Sequence, residues 1–135
     1  TRCSRDWSSD VCSSDLDLPG YGYARGGDAA AQEFRRLTDA YFERPGARAV
    51  LLLVDSRHPG LESDQDAWSW MSTLSCPRGI VGTKVDKLTR AERARHIRQL
   101  ETVFETAVPL VSAATGEGLD ELWKTIARLP SQTAA

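Results

Sequence analysis

Short apolar runs alternate with longer stretches of helical periodicity along this chain. "ARAVLLLVDSR" contains an unbroken apolar run from Ala49 to Val54. A run so short and continuous fits a parallel strand covered on both faces. Before it, residues 29–43 place Ala30, Phe34, Leu37 and Tyr41 on one helical face, and the following "RPG" ends that helix. From Ser63 onward, Ala67, Trp70, Met71 and Leu74 fall at i, i+3, i+4 and i+7, an amphipathic stripe. "CPRGIVGTKVD" predicts a second strand near Gly79–Thr83. Thr89 and Glu92 form a capping box, opening a helix that buries Ile97, Leu100 and Phe104. "AVPLVSA" predicts a third strand, and Leu119, Leu122, Trp123, Ile126 and Leu129 the stripe of a last helix. Such alternation predicts an α/β fold: a mainly parallel sheet between helical layers, joined by right-handed crossovers. Ligands of these sheets bind at the carboxyl ends of the strands, so the chemistry should follow each strand.

The pattern starts only at Asp17. Residues 1–15 are mostly Ser, Asp, Cys and Arg, with Trp7 and Val11 as the only large apolar side chains. That composition cannot bury enough surface to offset its ordering entropy. "CSRDWSSDVCSSDL" looks like translated sequencing-adapter sequence; a disordered native tail is the alternative. On either reading residues 1–16 carry no chemistry, 17–130 form the domain, and 131–135 are a short disordered tail. The 135 residues, 41% hydrophobic and 27% charged, suit one globular domain. A formal charge of -2 gives no sign of nucleic-acid binding, so any basic surface has to be local. No run is long enough to cross a membrane, and no basic start leads into an apolar signal. Cys3, Cys12 and Cys76 have neither metal nor disulfide spacing. Together these features predict a cytoplasmic protein with free thiols and no membrane partner.

The second strand ends in "GTKVDK", containing Thr83, Lys84 and Asp86, and the third in "SAATGEG", beginning at Ser112 and Ala113. Guanine presents a ring N–H beside an exocyclic amine. A carboxylate such as Asp86 accepts from both, and adenine has no matching pair. The methylene stem of Lys84 can cover one face of the base. Backbone N–H groups of the Ser112–Ala113 turn can donate to the guanine carbonyl oxygen. Thr-Lys-x-Asp alone reads as a charged solvated loop; the second motif at the next strand end gives it meaning. Upstream, "DLPG" comprises Asp17, Leu18, Pro19 and Gly20. It fits the metal-facing turn of a phosphate-loop GTPase. There Asp17 would hold magnesium through a water, Gly20 would offer its N–H to the terminal phosphate, and Pro19 would stiffen the turn. His58 and His96 have no partners at metal-ligand spacing, and Arg90, Arg93, Arg95 and Arg98 read as a solvated face. Trp68, Trp70 and Trp123 sit at core spacing.

"DLPGYGYA", "LLLVDSRHPGLESDQDAW", "GTKVDK" and "VSAATGEGLDELW" together resemble the EngB family of bacterial GTPases, from Asp17 to about Leu129. Thr83 stands where many GTPases carry Asn, and Tyr21 where Ras-like switches carry the water-orienting glutamine. The resemblance implies GTP and GDP as ligands, slow intrinsic hydrolysis, assembly of the large ribosomal subunit with that subunit as partner, and a link to division septum formation. Gly-x-x-x-x-Gly-Lys-Ser/Thr is absent from the chain. The resemblance places that loop, and the direct protein ligands of magnesium, before Asp17. The chain therefore reads as the carboxyl-terminal part of an EngB-like GTPase, unable by itself to bind or hydrolyse GTP efficiently. The alternative is a non-catalytic α/β interaction module of the response-receiver kind. Such a fold wants clustered acids, whereas Asp55 ends its strand without an acidic neighbour.

Overall fold

The computed structural model describes residues 27–44 and 49–131. They belong to two compact units, Thr1–Arg44 and Pro45–Ala135. The expected tail over residues 1–16 lies outside the described residues, as do residues 132–135. In the first unit the expected helix is α1 (Gly27–Phe42). Glu33 and Arg36, one turn apart, pair at 2.7 Å on its exposed surface. Tyr41 meets Phe42 edge to face with ring centroids 5.1 Å apart. Leu37, expected on the apolar stripe, is 49% exposed and lies one helical turn from the exposed Glu33.

The second unit runs β1 (Val50–Asp55), α2 (Glu62–Met71), β2 (Arg78–Thr83), α3 (Arg90–Phe104) and α4 (Leu119–Arg128). Strands β1 and β2 are parallel, in register from Val50 opposite Arg78 to Asp55 opposite Thr83. Side chains alternate faces along a strand, so Gly79 and Gly82 point to opposite sides of the sheet. A Cβ on Gly82 would sit 3.6 Å from Leu100 of α3, and one on Gly79 would sit 3.0 Å from Leu129, just beyond α4. Helices thus cover both faces, as the sequence pattern predicts for an α/β fold. The cover is incomplete over β1: Val50, Leu52 and Val54 are buried, whereas Leu53 is 57% exposed. Leu100 and Phe104 of α3 are buried as expected, and Ile97 is half-buried. The capping box is present in full: Glu92 N–H donates to Thr89 Oγ1, and Glu92 Oε2 accepts from Thr89 N–H at 3.0 Å. In α2, Asp64 of the first turn and Met71 of the last are buried, and Trp68 meets Phe104 edge to face at 6.2 Å.

The third strand does not form; Leu110 makes a single parallel bridge to Gly82. Gly82 N–H donates to Pro109 O, and Val111 N–H donates to Gly82 O at 2.8 Å. The next parallel bond on the amino-terminal side needs an N–H at position 109, which proline lacks. On the other side Lys84 turns left-handed (φ 60) and leaves the ladder. The sequence shows the apolar pattern of a strand; Pro109 and Lys84 cut it to one rung.

Trp123, expected on the stripe of α4, is 51% exposed. That stripe is carried at i, i+3 and i+7 by Leu119, Leu122 and Ile126, and Trp123 flanks it. Gly118 caps α4 at φ 75, and a Cβ there would strike the backbone carbonyl oxygen of Leu110. Gly116 also has a positive φ (82), but a Cβ there would meet open space. Gly116→Ala should therefore lose about 1–2 kcal/mol from the left-handed backbone alone. Gly118→Ala should lose distinctly more, read as the difference in urea midpoints. Equal losses would contradict the close approach of Gly118 to Leu110.

Candidate functional site

The parallel register brings the ends of β1 and β2 side by side, with Asp55 opposite Thr83. Thr83 laces them together. Its Oγ1 donates to Val54 O at 3.1 Å, and its carbonyl accepts from Ser56 N–H at 3.0 Å and Ser56 Oγ at 2.5 Å. Thr83 therefore forms the floor of the site. Lys84 then takes the left-handed conformation, uncommon for a residue with a Cβ, and throws the chain into a short 3-10 turn, Val85–Lys87. Buried Val85 anchors that turn through its N–H to Val111 O at 3.2 Å. The result leaves Lys84 exposed and Asp86 half-buried at the sheet's carboxyl edge.

Ser112 is fully buried and connects the two predicted motifs directly. Its Oγ donates to Asp86 Oδ1 at 2.7 Å and accepts from Thr115 N–H at 3.1 Å. Its backbone N–H donates to Glu117 O at 2.9 Å. The expectation that both N–H groups of the Ser112–Ala113 turn are available for a ligand therefore needs correction. The Ser112 N–H closes its own turn, and the role of its side chain is to orient the Asp86 carboxylate. Ala113 is exposed, and among the described residues its N–H makes no hydrogen bond. Lys84, Asp86 and Ala113 can thus meet a ligand, while Thr83 and Ser112 hold them in place.

Sequence reading missed a layer of charge around these loops. Asp55 accepts from Arg57 Nη2 at 2.7 Å, from Arg57 Nε at 3.0 Å and from Lys84 Nζ at 3.3 Å. The Arg57 side chain chiefly, then its backbone N–H and Lys84, hold the Asp55 carboxyl well below the usual carboxylate range against the opposing effect of burial. Asp55 is clasped by cations rather than set among acids, which disfavours the receiver-like alternative. Its place at a strand end was legible; its pairing with Lys84 required the register. Arg93, read as part of a solvated face, pairs with Glu117 through both terminal guanidinium nitrogens and reaches Val85 O at 3.4 Å. His96 Nδ1 lies 2.8 Å from the carbonyl of buried Ser56, a strand-end role.

Asp17, Leu18, Pro19, Gly20 and Tyr21 lie outside the described residues. Among the described residues no group of three or more His, Cys, Asp or Glu could hold a metal ion. No described helix is long and apolar enough to cross a membrane.

No family model matches the chain. It is 37% identical over 118 residues to a protein of Pelotomaculum thermopropionicum, covering 84% of this chain and 60% of that protein. It is 40% identical over 120 residues to a protein of Thermotoga maritima, covering 84% and 61% respectively. The match to a protein of Chlorobaculum tepidum is 40% over 114 residues, covering 82% and 59%. All three are named probable GTP-binding protein EngB. Over the matched stretch this chain is similar to EngB proteins. It spans about 60% of the length of these EngB relatives. A crystal structure of a probable GTP-binding protein engB superposes with a TM-score of 0.68 at 18% identity, covering 85% of this chain and 75% of that one. The α/β fold described above is thus an EngB fold.

The Asp55 cluster should make the stability of this chain pH-dependent. A depressed carboxyl contributes stability above its unfolded pKa, 3.8, and loses it as pH falls toward the lower folded value. Asp55→Asn should cost about 1 kcal/mol at neutral pH, since the pair is partly exposed. The gap from wild type should close on acidification below about pH 4. Urea midpoints of both proteins across pH test this; a gap that persists at acid pH would contradict it.

Proposed function

We propose that the chain carries the base-recognition half of a guanine-nucleotide site in an EngB-type GTP-binding protein. The observation that carries this reading is the Ser112 Oγ–Asp86 Oδ1 hydrogen bond at 2.7 Å. It fixes a carboxylate at the edge of a parallel sheet through Ser112, whose chain neighbour Ala113 is exposed. Asp86 accepts from the guanine ring N–H and the exocyclic amine, the Ala113 N–H donates to the guanine carbonyl oxygen, and the Lys84 stem lies along the face of the ring. The names of the relatives, GTP-binding proteins, support the same ligand.

The phosphate side of this proposal is the Asp17–Gly20 turn, with Asp17 reaching magnesium through a water and Gly20 facing the terminal phosphate. It rests on motif order and on the EngB resemblance. The resemblance also supports the wider role: a cytoplasmic switch acting on the large ribosomal subunit or its precursor, with a consequence for septum formation. Within the chain itself the base contacts hold a nucleotide only weakly, near the millimolar level, about -4 kcal/mol, because it has no phosphate loop whose N–H groups could cradle the phosphates.

The test replaces the matched 120 residues of the Thermotoga maritima relative with those of this chain. In that chimera Asp86→Asn should weaken GTP binding roughly tenfold to a hundredfold, the cost of losing a charge-assisted pair of about 1.5–3 kcal/mol. The same substitution should improve xanthosine triphosphate binding, because the Asn amide donates to the xanthine carbonyl. An unchanged preference for GTP in a competition assay would remove Asp86 from the base site.

A further inference from the structure

The Arg93–Glu117 pair bridges the two loops assigned to base recognition. Arg93 is the fourth residue of α3, whose start is fixed by the Thr89–Glu92 capping box. Its guanidinium spans two targets. Nη1 and Nη2 both engage the Glu117 carboxylate, the latter at 3.1 Å, and Nη2 also reaches the carbonyl of Val85 at 3.4 Å. Val85 opens the turn that carries Asp86, and Glu117 lies in the turn that begins at Ser112. Glu117 also acts through its backbone, accepting the Ser112 N–H at 2.9 Å. A continuous chain therefore runs from Arg93 to Glu117, from Glu117 to Ser112, and from the Ser112 hydroxyl to Asp86.

The geometry points to Arg93 and Glu117 as positioning residues for base recognition: the pair clamps the Ser112–Gly118 turn against the Val85–Lys87 turn and so sets the spacing between Asp86 and the Ala113 N–H. Neither residue touches the base. This inference rests on the reading of Asp86 and Ala113 as base contacts. A planar fork suits the task, because one guanidinium can hold a carboxylate and a carbonyl at once, whereas an ammonium offers no fixed plane. The pair is half-exposed, with side-chain accessibilities of 36% and 48%, so water and salt screen it. Its effect is therefore several-fold rather than hundredfold.

Two measurements on the full chain test the clamp. The first is amide hydrogen exchange at Ser112 by NMR, without ligand. Arg93→Lys, which keeps helix propensity and charge, and Glu117→Gln, which keeps side-chain size, should each speed exchange at Ser112 about threefold to fivefold, with little change at Leu100 in the core. The second is titration with GDP and with ADP, followed at the Ala113 amide. Both variants should weaken GDP binding by a similar factor, and Arg93→Glu combined with Glu117→Arg should recover part of the loss. Wild-type exchange at Ser112 in both single variants would overturn the clamp. So would faster exchange at Ser112 and Leu100 alike, which marks general destabilisation. If wild-type Ala113 responds to GDP and ADP equally, the base-site reading falls, and the exchange rates still decide whether the clamp exists.

Discussion

The parallel pairing of β1 with β2 is the constraint from which the site follows. Its register ends both strands at one level, Asp55 opposite Thr83, and everything chemically interesting leaves the sheet there. Thr83 ties the two ends with its side chain and carbonyl, and Lys84 ends the ladder by turning left-handed. A side chain one position out of register would point to the other face of the sheet. Asp55 would then lose Lys84, and the turn that presents Asp86 would start from a different place.

The fold was legible wherever periodicity and capping agree. The boundaries of α3 follow from the Thr89–Glu92 box and the Ile97, Leu100 and Phe104 stripe, and β1 from a run of Leu and Val with no competing helical period. The third strand was misread for a physical reason. Hydrophobic pattern reports burial, and Val108 and Val111 are indeed buried, but strand pairing also needs an N–H at position 109. Trp123 shows the same limit on a helix: spacing marks a face, and the edges of that face depend on what packs against it.

Within the site, residue types named the chemistry and the structure divided the labour. Ser112 and Ala113 look equivalent in "SAAT", yet one is fully buried and holds Asp86 while the other is exposed. Arg93 and Glu117 were invisible as contributors because each has its partner in another loop, and Arg57 because its pairing with Asp55, two residues back, depends on how the chain turns at the strand end. A charge on a helix reads as solvated until the fold brings a carboxylate to it. The cations Arg57, Lys84 and Arg93 are each matched to an acid or a carbonyl at the sheet edge, which leaves the Asp86 carboxylate set by a neutral hydroxyl on one oxygen. Lys87 Nζ lies 3.9 Å from its other oxygen, too far for a hydrogen bond. That arrangement suits a carboxylate meant to meet donors from outside.

The most direct test of this account is NMR of GDP labelled with ¹⁵N at the guanine ring, bound to the chain with ¹³C-labelled aspartate. The account predicts a guanine N1–H protected from exchange and shifted downfield, together with a change in the Asp86 Cγ resonance that is absent when ADP is added. A guanine N1–H that exchanges as fast as in free GDP, with an unmoved Asp86 Cγ at the same occupancy, would contradict the claim that Asp86 reads the base.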